Sequence, residues 1–454
     1  MTRNNARAKA GPGFIPLGRF PAKRIPARVK KTHKNKKPEP LFRSIGSGKA
    51  LAAGAAFLLL AIAPALADAA APLRAADEQA LSDQQLLGKR IFEDVTLSEP
   101  QGMSCASCHA PEHAFQGNNK SPIAAVALGS TPDKVGTRKT PTLMYKAYSP
   151  AFGFYIDADG AKPKLEPRGG QFWDGRAADL AEQASGPLLN PLEMNNPSAE
   201  AVVAKIARAP YADLAKTLYG PEVFADPKAA MGKMMKSVAA FELSPRFAPF
   251  SSKFDDWLRG KTELTAEEKR GYAIFIDTKK SNCVDCHAGK PESKDPTDWI
   301  FSDFSYHVLG VPRNAAIPAN ANPEVFDLGL CKRPGLEAIL PKKIKLASLC
   351  GAFKAPTLRN VAVTGPYFHN GAFPSLRDAV AFYATRETDP GHWYPRDAKG
   401  KIDKFNDLPK AYKASVNVED VPYDRKPGQR PRLNDQEIDA LVAFLKTLTD
   451  RGMN

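Results

Sequence analysis

The chain has 454 residues, 43% of them hydrophobic and 25% charged, which is enough apolar material for one sizeable core and more readily for two or three. A formal net charge of +15 points at first to a nucleic-acid binder. Residues 1–67, however, hold fourteen Lys and Arg against Glu39 alone, so this leader carries +13 and the rest only +2, which removes nucleic acid from the expected partners.

The basic head runs into LAAGAAFLLLAIAPALA, seventeen residues from Leu51 to Ala67, ending on Ala65-Leu66-Ala67 before Asp68. A basic region, an apolar region and a small-residue site in this order predict a secretory signal peptide and export to the periplasm. An uncleaved anchor is the rival reading, because seventeen residues is at the lower end of the spanning range.

Next comes LSDQQLLGKRIFED, with a capping serine, an acidic first turn and spaced apolar positions, which predicts a helix leading into CASCHAPEHAF. The same arrangement recurs as LTAEEKRGYAIFIDTKKSN before CVDCHAGK. AAMGKMMKSVAAFE closes the first half. LNDQEIDALVAFLKTLTD closes the second, with Leu441, Phe444, Leu445 and Leu448 on one stripe and Asn434 or Asp435 as cap. The expectation is a mostly α fold of two cytochrome c-like domains, 68–258 and 259–454, after a leader over 1–67. YSPAFGFYIDADGAKPKLEPRGG has no period and is expected to form long loops.

Four of the six cysteines make two C-x-x-C-H motifs, Cys105, Cys108, His109 and Cys283, Cys286, His287. A C-x-x-C pair alone serves a redox dithiol or half of a zinc site. The adjacent histidine changes the reading: two thioethers fix the porphyrin vinyl edge while the imidazole reaches the iron, so two covalent c-type haems are predicted. Cys331 and Cys350 bracket KRPGLEAILPKKIKLASL, and an oxidising compartment favours a disulfide closing that loop over the alternative of two free thiols. No methionine occurs between Met235 and Met453, so the second haem has either a distal ligand other than methionine or none.

QFWDGRAADLAEQASGPLLNPLEMNN, GAFKAPTLRNVAVTGPYFHNGAFPSLRDAVAFY and the order of the haem motifs resemble the bacterial di-haem cytochrome c peroxidases, and within them the MauG-type enzymes that mature tryptophan tryptophylquinone. The resemblance runs from about Leu81 to Asp450. It implies a peroxide site at the first haem and electron transfer at the second. Glu193 matches the distal glutamate, a carboxylate that shuttles a proton between peroxide oxygens. Gln183 and Pro187 match other distal-wall positions, and Trp173 matches the tryptophan between the haems.

The resemblance further implies that Tyr383 takes the distal place on the second iron, where the peroxidases carry methionine. No histidine occurs from Ala114 to Cys286 to close the first haem, and His113 follows His109 too closely to swing over it. The family also places calcium between the haems, with Thr364 and Pro366 at matching positions. Lys139 stands where an oxygen-bearing asparagine is expected, which leaves two readings: a calcium site, or an ammonium in the cation's place. The expected activity is reduction of hydrogen peroxide with electrons from a small donor protein, a cytochrome c or cupredoxin. The alternatives are peroxide-dependent oxidation of a partner protein's tryptophans, and a plain electron carrier.

Overall fold

The computed structural model describes residues 80–157 and 163–453. The leader and the apolar stretch read as a signal peptide lie outside the described residues, among which no helix is long and apolar enough to cross a membrane.

The described chain is mostly helical. Its first half contains α1 (Asp83–Glu93), the one-turn α2 (Cys105–Cys108), α3 (Leu180–Leu189), α4 (Ala199–Ile206), α5 (Ala212–Tyr219) and α6 (Pro227–Glu242). After α7 (Lys253–Leu258) the second half contains α8 (Ala266–Ile276), the one-turn α9 (Cys283–Cys286), α10 (Leu336–Ile339), α11 (Leu376–Thr385), α12 (Pro390–Trp393) and α13 (Asp435–Lys446). The expected helix starts are present as capping boxes: Ser82 with Gln85 on α1, Thr265 with Glu268 on α8, and Asn434 with Glu437 on α13. Each box satisfies backbone N–H groups that the first turn leaves without partners.

The same crossing is built twice. α1 packs on α6 and α8 packs on α13, and each contact is made at a glycine. A Cβ on Gly88 would lie 1.9 Å from the Ser237 carbonyl oxygen, and one on Gly271 would lie 2.0 Å from that of Ala440. Phe241 and Phe444, one turn further along the partner helices, press on the same spots. In an ordinary helix, Gly→Ala gains about 1 kcal/mol. Here the methyl meets backbone, so Gly271→Ala is expected to destabilise by about 1–3 kcal/mol through overpacking. Thermal unfolding decides the sign, and a raised Tm would show that the helices slip apart freely.

Apolar side chains gather into two main cores. Leu87, Ile91, Phe92, Phe115, Met234 and Phe241 belong to one, and Phe275, Trp299, Phe301, Phe382, Leu441 and Phe444 to the other. Phe254 and Leu258 of α7 pack into the second core. Polar contacts join the halves: buried Asp450 accepts from the Tyr145 hydroxyl at 2.8 Å, from Asn360 Nδ2 at 2.9 Å and from the Ser251 amide at 2.9 Å. Arg359, fully buried, donates to both oxygens of Asp255 at 2.8 and 3.0 Å.

One expectation is corrected. The stretch expected to be loop contains β1 (Gly153–Asp157) and β2 (Lys164–Arg168), paired antiparallel with Phe154 opposite Pro167 and Ile156 opposite Leu165. Glycine and proline at its ends mask a short run of Phe, Tyr and Ile that suits a strand. A second pair, β3 (Tyr306–Val308) with β4 (Ala352–Lys354), lies in the other half. Cys331 and Cys350 are joined as a disulfide, with their Cα atoms 4.8 Å apart.

Candidate functional site

Each C-x-x-C-H motif opens onto its own cavity. Ser104 and Ser107 cap the one-turn α2, which turns Cys105, Cys108 and His109 onto the wall of a cavity of about 480 Å³. α9 does the same for Cys283, Cys286 and His287 on a cavity of about 770 Å³. Both volumes fall in the range of roughly 300–1,000 Å³ usual for cofactor sites.

Three features of the donor sets fit a c-type haem in each. All four cysteines are free. His109 Nδ1 lies 2.9 Å from the Phe115 carbonyl, and His287 Nδ1 lies 3.2 and 3.1 Å from those of Phe301 and Pro356. Only Nδ1–H can bond to a carbonyl, so Nε2 keeps the lone pair that a metal needs. Burial lowers His109 to about 4 and also lowers His287, which keeps both rings neutral. Burial also pushes the Cys105 and Cys108 thiols up to about 12, so they rest as thiols.

The smaller cavity collects the other expected distal groups. α3 supplies Gln183 and Pro187, and the turn after it supplies Glu193. Burial raises the Glu193 carboxyl, while the Asn190 side chain and the Arg176 charge pull it partly back. Among the described residues His109 is the one histidine on this wall, and His113 is exposed. Trp173 lines both cavities. Its Nε1 donates to the Lys139 carbonyl at 2.8 Å, and its own carbonyl accepts from the Lys354 amide at 2.9 Å.

Tyr383, on α11, lines the larger cavity, and no hydrogen bond joins its hydroxyl among the described residues. Burial raises its phenol, with Cys286 and Cys283 adding to the shift and Arg386 opposing it. Thr364 and Pro366 line neither cavity. The Lys139 ammonium donates to the Thr364 carbonyl oxygen, and burial and Lys146 lower its amine to about 7. Calcium needs oxygen donors, and the lysine side chain offers none. A buried amine already donating to that carbonyl does not fit a calcium ion.

Tyr423 and Glu242 are not singled out by the sequence. Tyr423 lines the larger cavity beside Tyr383, with ring centroids 6.0 Å apart, and its hydroxyl also has no hydrogen bond among the described residues. It sits in an aperiodic loop that gives no signal. Glu242 ends α6 on the buried stripe of Met231, Met235 and Val238, and one of its oxygens is buried without a partner. A carboxylate four residues after Val238 on an apolar face was the available signal.

The sequence profile described as Di-haem cytochrome c peroxidase matches residues 82–263. The Methylamine utilization protein MauG of Paracoccus denitrificans is 37% identical over 372 residues, covering 80% of this chain and 88% of that one. Cytochrome c peroxidase Ccp of Escherichia coli is 31% identical over 295 residues, 65% of this chain and 51% of that one. The crystal structure of the diheme peroxidase BthA from Burkholderia thailandensis superposes with a TM-score of 0.75 at 42% identity, covering 81% of this chain and 86% of that one. The similarity thus reaches both a protein named MauG and proteins named as peroxidases. With two C-x-x-C-H motifs and relatives of both names, the chain belongs to the bacterial di-haem cytochrome c peroxidase and MauG family of oxidoreductases.

Proposed function

We propose that the protein is a periplasmic di-haem peroxidase, reducing hydrogen peroxide to water with electrons delivered singly by a small donor protein. The observation that carries this reading is a shared wall: Glu193 and Trp173 line the cavity of His109, and Trp173 also lines the cavity of His287. We assign the halves, 68–258 and 259–454, as two cytochrome c-like domains, a reading supported by the repeated glycine crossing of α1 on α6 and α8 on α13.

Cys105, Cys108 and His109 would hold one haem; Cys283, Cys286, His287 and Tyr383 would hold the other. An iron with an open position supplies a place for peroxide to bind and electrons to reduce it. The remaining work falls to the protein. Glu193 takes the proton from one peroxide oxygen and returns it to the other, and the raised proton affinity that burial gives its carboxylate suits the first, proton-accepting step. Gln183 offers an amide to orient peroxide, and Pro187 presents a ring and no N–H, restricting what stands there. Trp173, clamped through its indole and its carbonyl, is a fixed oxidisable ring between the cavities. We read Lys139 as occupying the cation's place at Thr364.

Two measurements test the reading. Pyridine haemochrome titration is expected to return close to two haems per chain, one for each motif, and a ratio near one would sink the architecture. Fully ferric protein is expected to react with one equivalent of peroxide without prior reduction, since the smaller cavity holds no histidine besides His109 among the described residues. Reaction confined to a half-reduced sample, followed by the Soret band, would return the protein to peroxidases switched on by an electron. The likeness to MauG keeps partner-tryptophan oxidation as a second reading. Sustained peroxide turnover with a reduced cytochrome c or cupredoxin favours the peroxidase over it.

A further inference from the structure

Three lysines are buried around Trp173, and the structure offers them too little negative charge. Lys139, Lys146 and Lys354 are 8%, 8% and 4% exposed. Asp174, beside Trp173, is already held by Arg138 at 2.7 Å and Arg176 at 2.9 Å. Lys139 donates to the Thr364 carbonyl. Lys354 donates to the Gly170 carbonyl and lies 3.5 Å from Ser149 Oγ, both neutral acceptors. Lys146 has neither a hydrogen bond nor an ion pair on its ammonium among the described residues. A buried ammonium without a counter-charge is costly, and natural cores keep one where an anion completes it.

Lys146 and Lys354, neither of which has a counter-charge among the described residues, are divided between the cavities. Lys146 lines the one with His109, and Lys354 lines the one with His287. Both are anchored to the segment that carries Trp173: the Lys146 carbonyl accepts from Gln171 Nε2 at 3.5 Å, and the Lys354 amide donates to the Trp173 carbonyl at 2.9 Å. The anionic parts of a haem are its propionate carboxylates, and two haems bring four of them.

We propose that Lys146 and Lys354 are the propionate anchors of the first and second haem respectively, fixing both cofactors against the two sides of the Trp173 segment. The assignment rests on the di-haem reading and deepens it. Ammonium–carboxylate pairs formed here would be largely screened from water, so each lysine also tunes its own haem: a positive charge nearby favours the reduced iron.

The test uses the haem-loaded full chain. Lys146→Met is expected to lower the midpoint potential of the first haem and leave the second unchanged, and Lys354→Met is expected to do the reverse. Resonance Raman should show the propionate bending bands moving on the same haem. Unchanged potentials and bands in both variants, or shifts on the opposite haem, would overturn the assignment. If a methionine variant fails to accumulate, Lys146→Arg and Lys354→Arg decide. Retained potentials with shifted propionate bands support the pairs, and unchanged bands refute them. Haem counts on the wild-type samples keep a failure of this assignment separate from a failure of the di-haem reading.

Discussion

Glu193→Gln is expected to slow the reaction with peroxide on the order of 10² or more while leaving haem content unchanged, the loss appropriate to removing a positioned proton shuttle. The variant separates the proposed proton transfer from the residue's structural role. The Glu193 backbone is structural, with its amide donating to the Asn190 carbonyl at 3.0 Å and its carbonyl accepting from the Ser130 amide at 2.8 Å, and glutamine keeps both bonds. What is lost is the titratable proton, and with it the charge of the carboxylate.

The pH profile adds a sign. A base must be deprotonated to accept the peroxide proton, so the wild-type rate should rise with pH as Glu193 ionises. Because burial raises its carboxyl, that limb should lie above the ordinary carboxylate range. In Glu193→Gln the limb should vanish. Stopped-flow mixing across pH decides, and a variant that reacts at the wild-type rate with the limb intact would clear Glu193 of the role.

Local chemistry was legible in the sequence where it is carried by neighbours in the chain. The C-x-x-C-H motifs, the capped helices before them and the stripe of α13 are all signals spanning fewer than four turns, and each is found as expected. Gly88 and Gly271 were legible as residues but not in purpose, because the backbone each one touches lies about 150 or more residues away. Lys146, Lys354 and Tyr423 gave no signal for the same reason. A buried lysine is indistinguishable from a surface one until the cavity beside it is known. The hairpin of β1 and β2 was hidden by Gly and Pro, which mark loop in isolation but here only bound the strands. In the sequence Lys139 is only a departure from a family pattern, and the fold alone brings its ammonium to the Thr364 carbonyl.

Tyr383→Phe is expected to abolish the resting-state low-spin EPR signal of the second haem in its wild-type form and leave the first haem's signal intact. The structure sharpens this test by presenting two phenols on one wall. Tyr383 and Tyr423 both line the cavity of His287, both are raised by burial, and both hydroxyls stand without hydrogen bonds among the described residues. A phenol so placed resists ionisation by itself, and only a cation set against the oxygen reverses that preference, as coordination to ferric iron does. We assign the ligand to Tyr383, whose backbone α11 fixes, whereas Tyr423 sits in a loop under the Arg386 guanidinium, 4.1 Å from its ring centre. That cation holds the Tyr423 ring in place and gives it a packing role. Tyr423→Phe should therefore preserve the EPR spectrum, and Tyr383→Met should replace it with the signature of a thioether ligand. A spectrum unchanged in Tyr383→Phe removes that residue from the iron, and one altered only in Tyr423→Phe transfers the role to its neighbour.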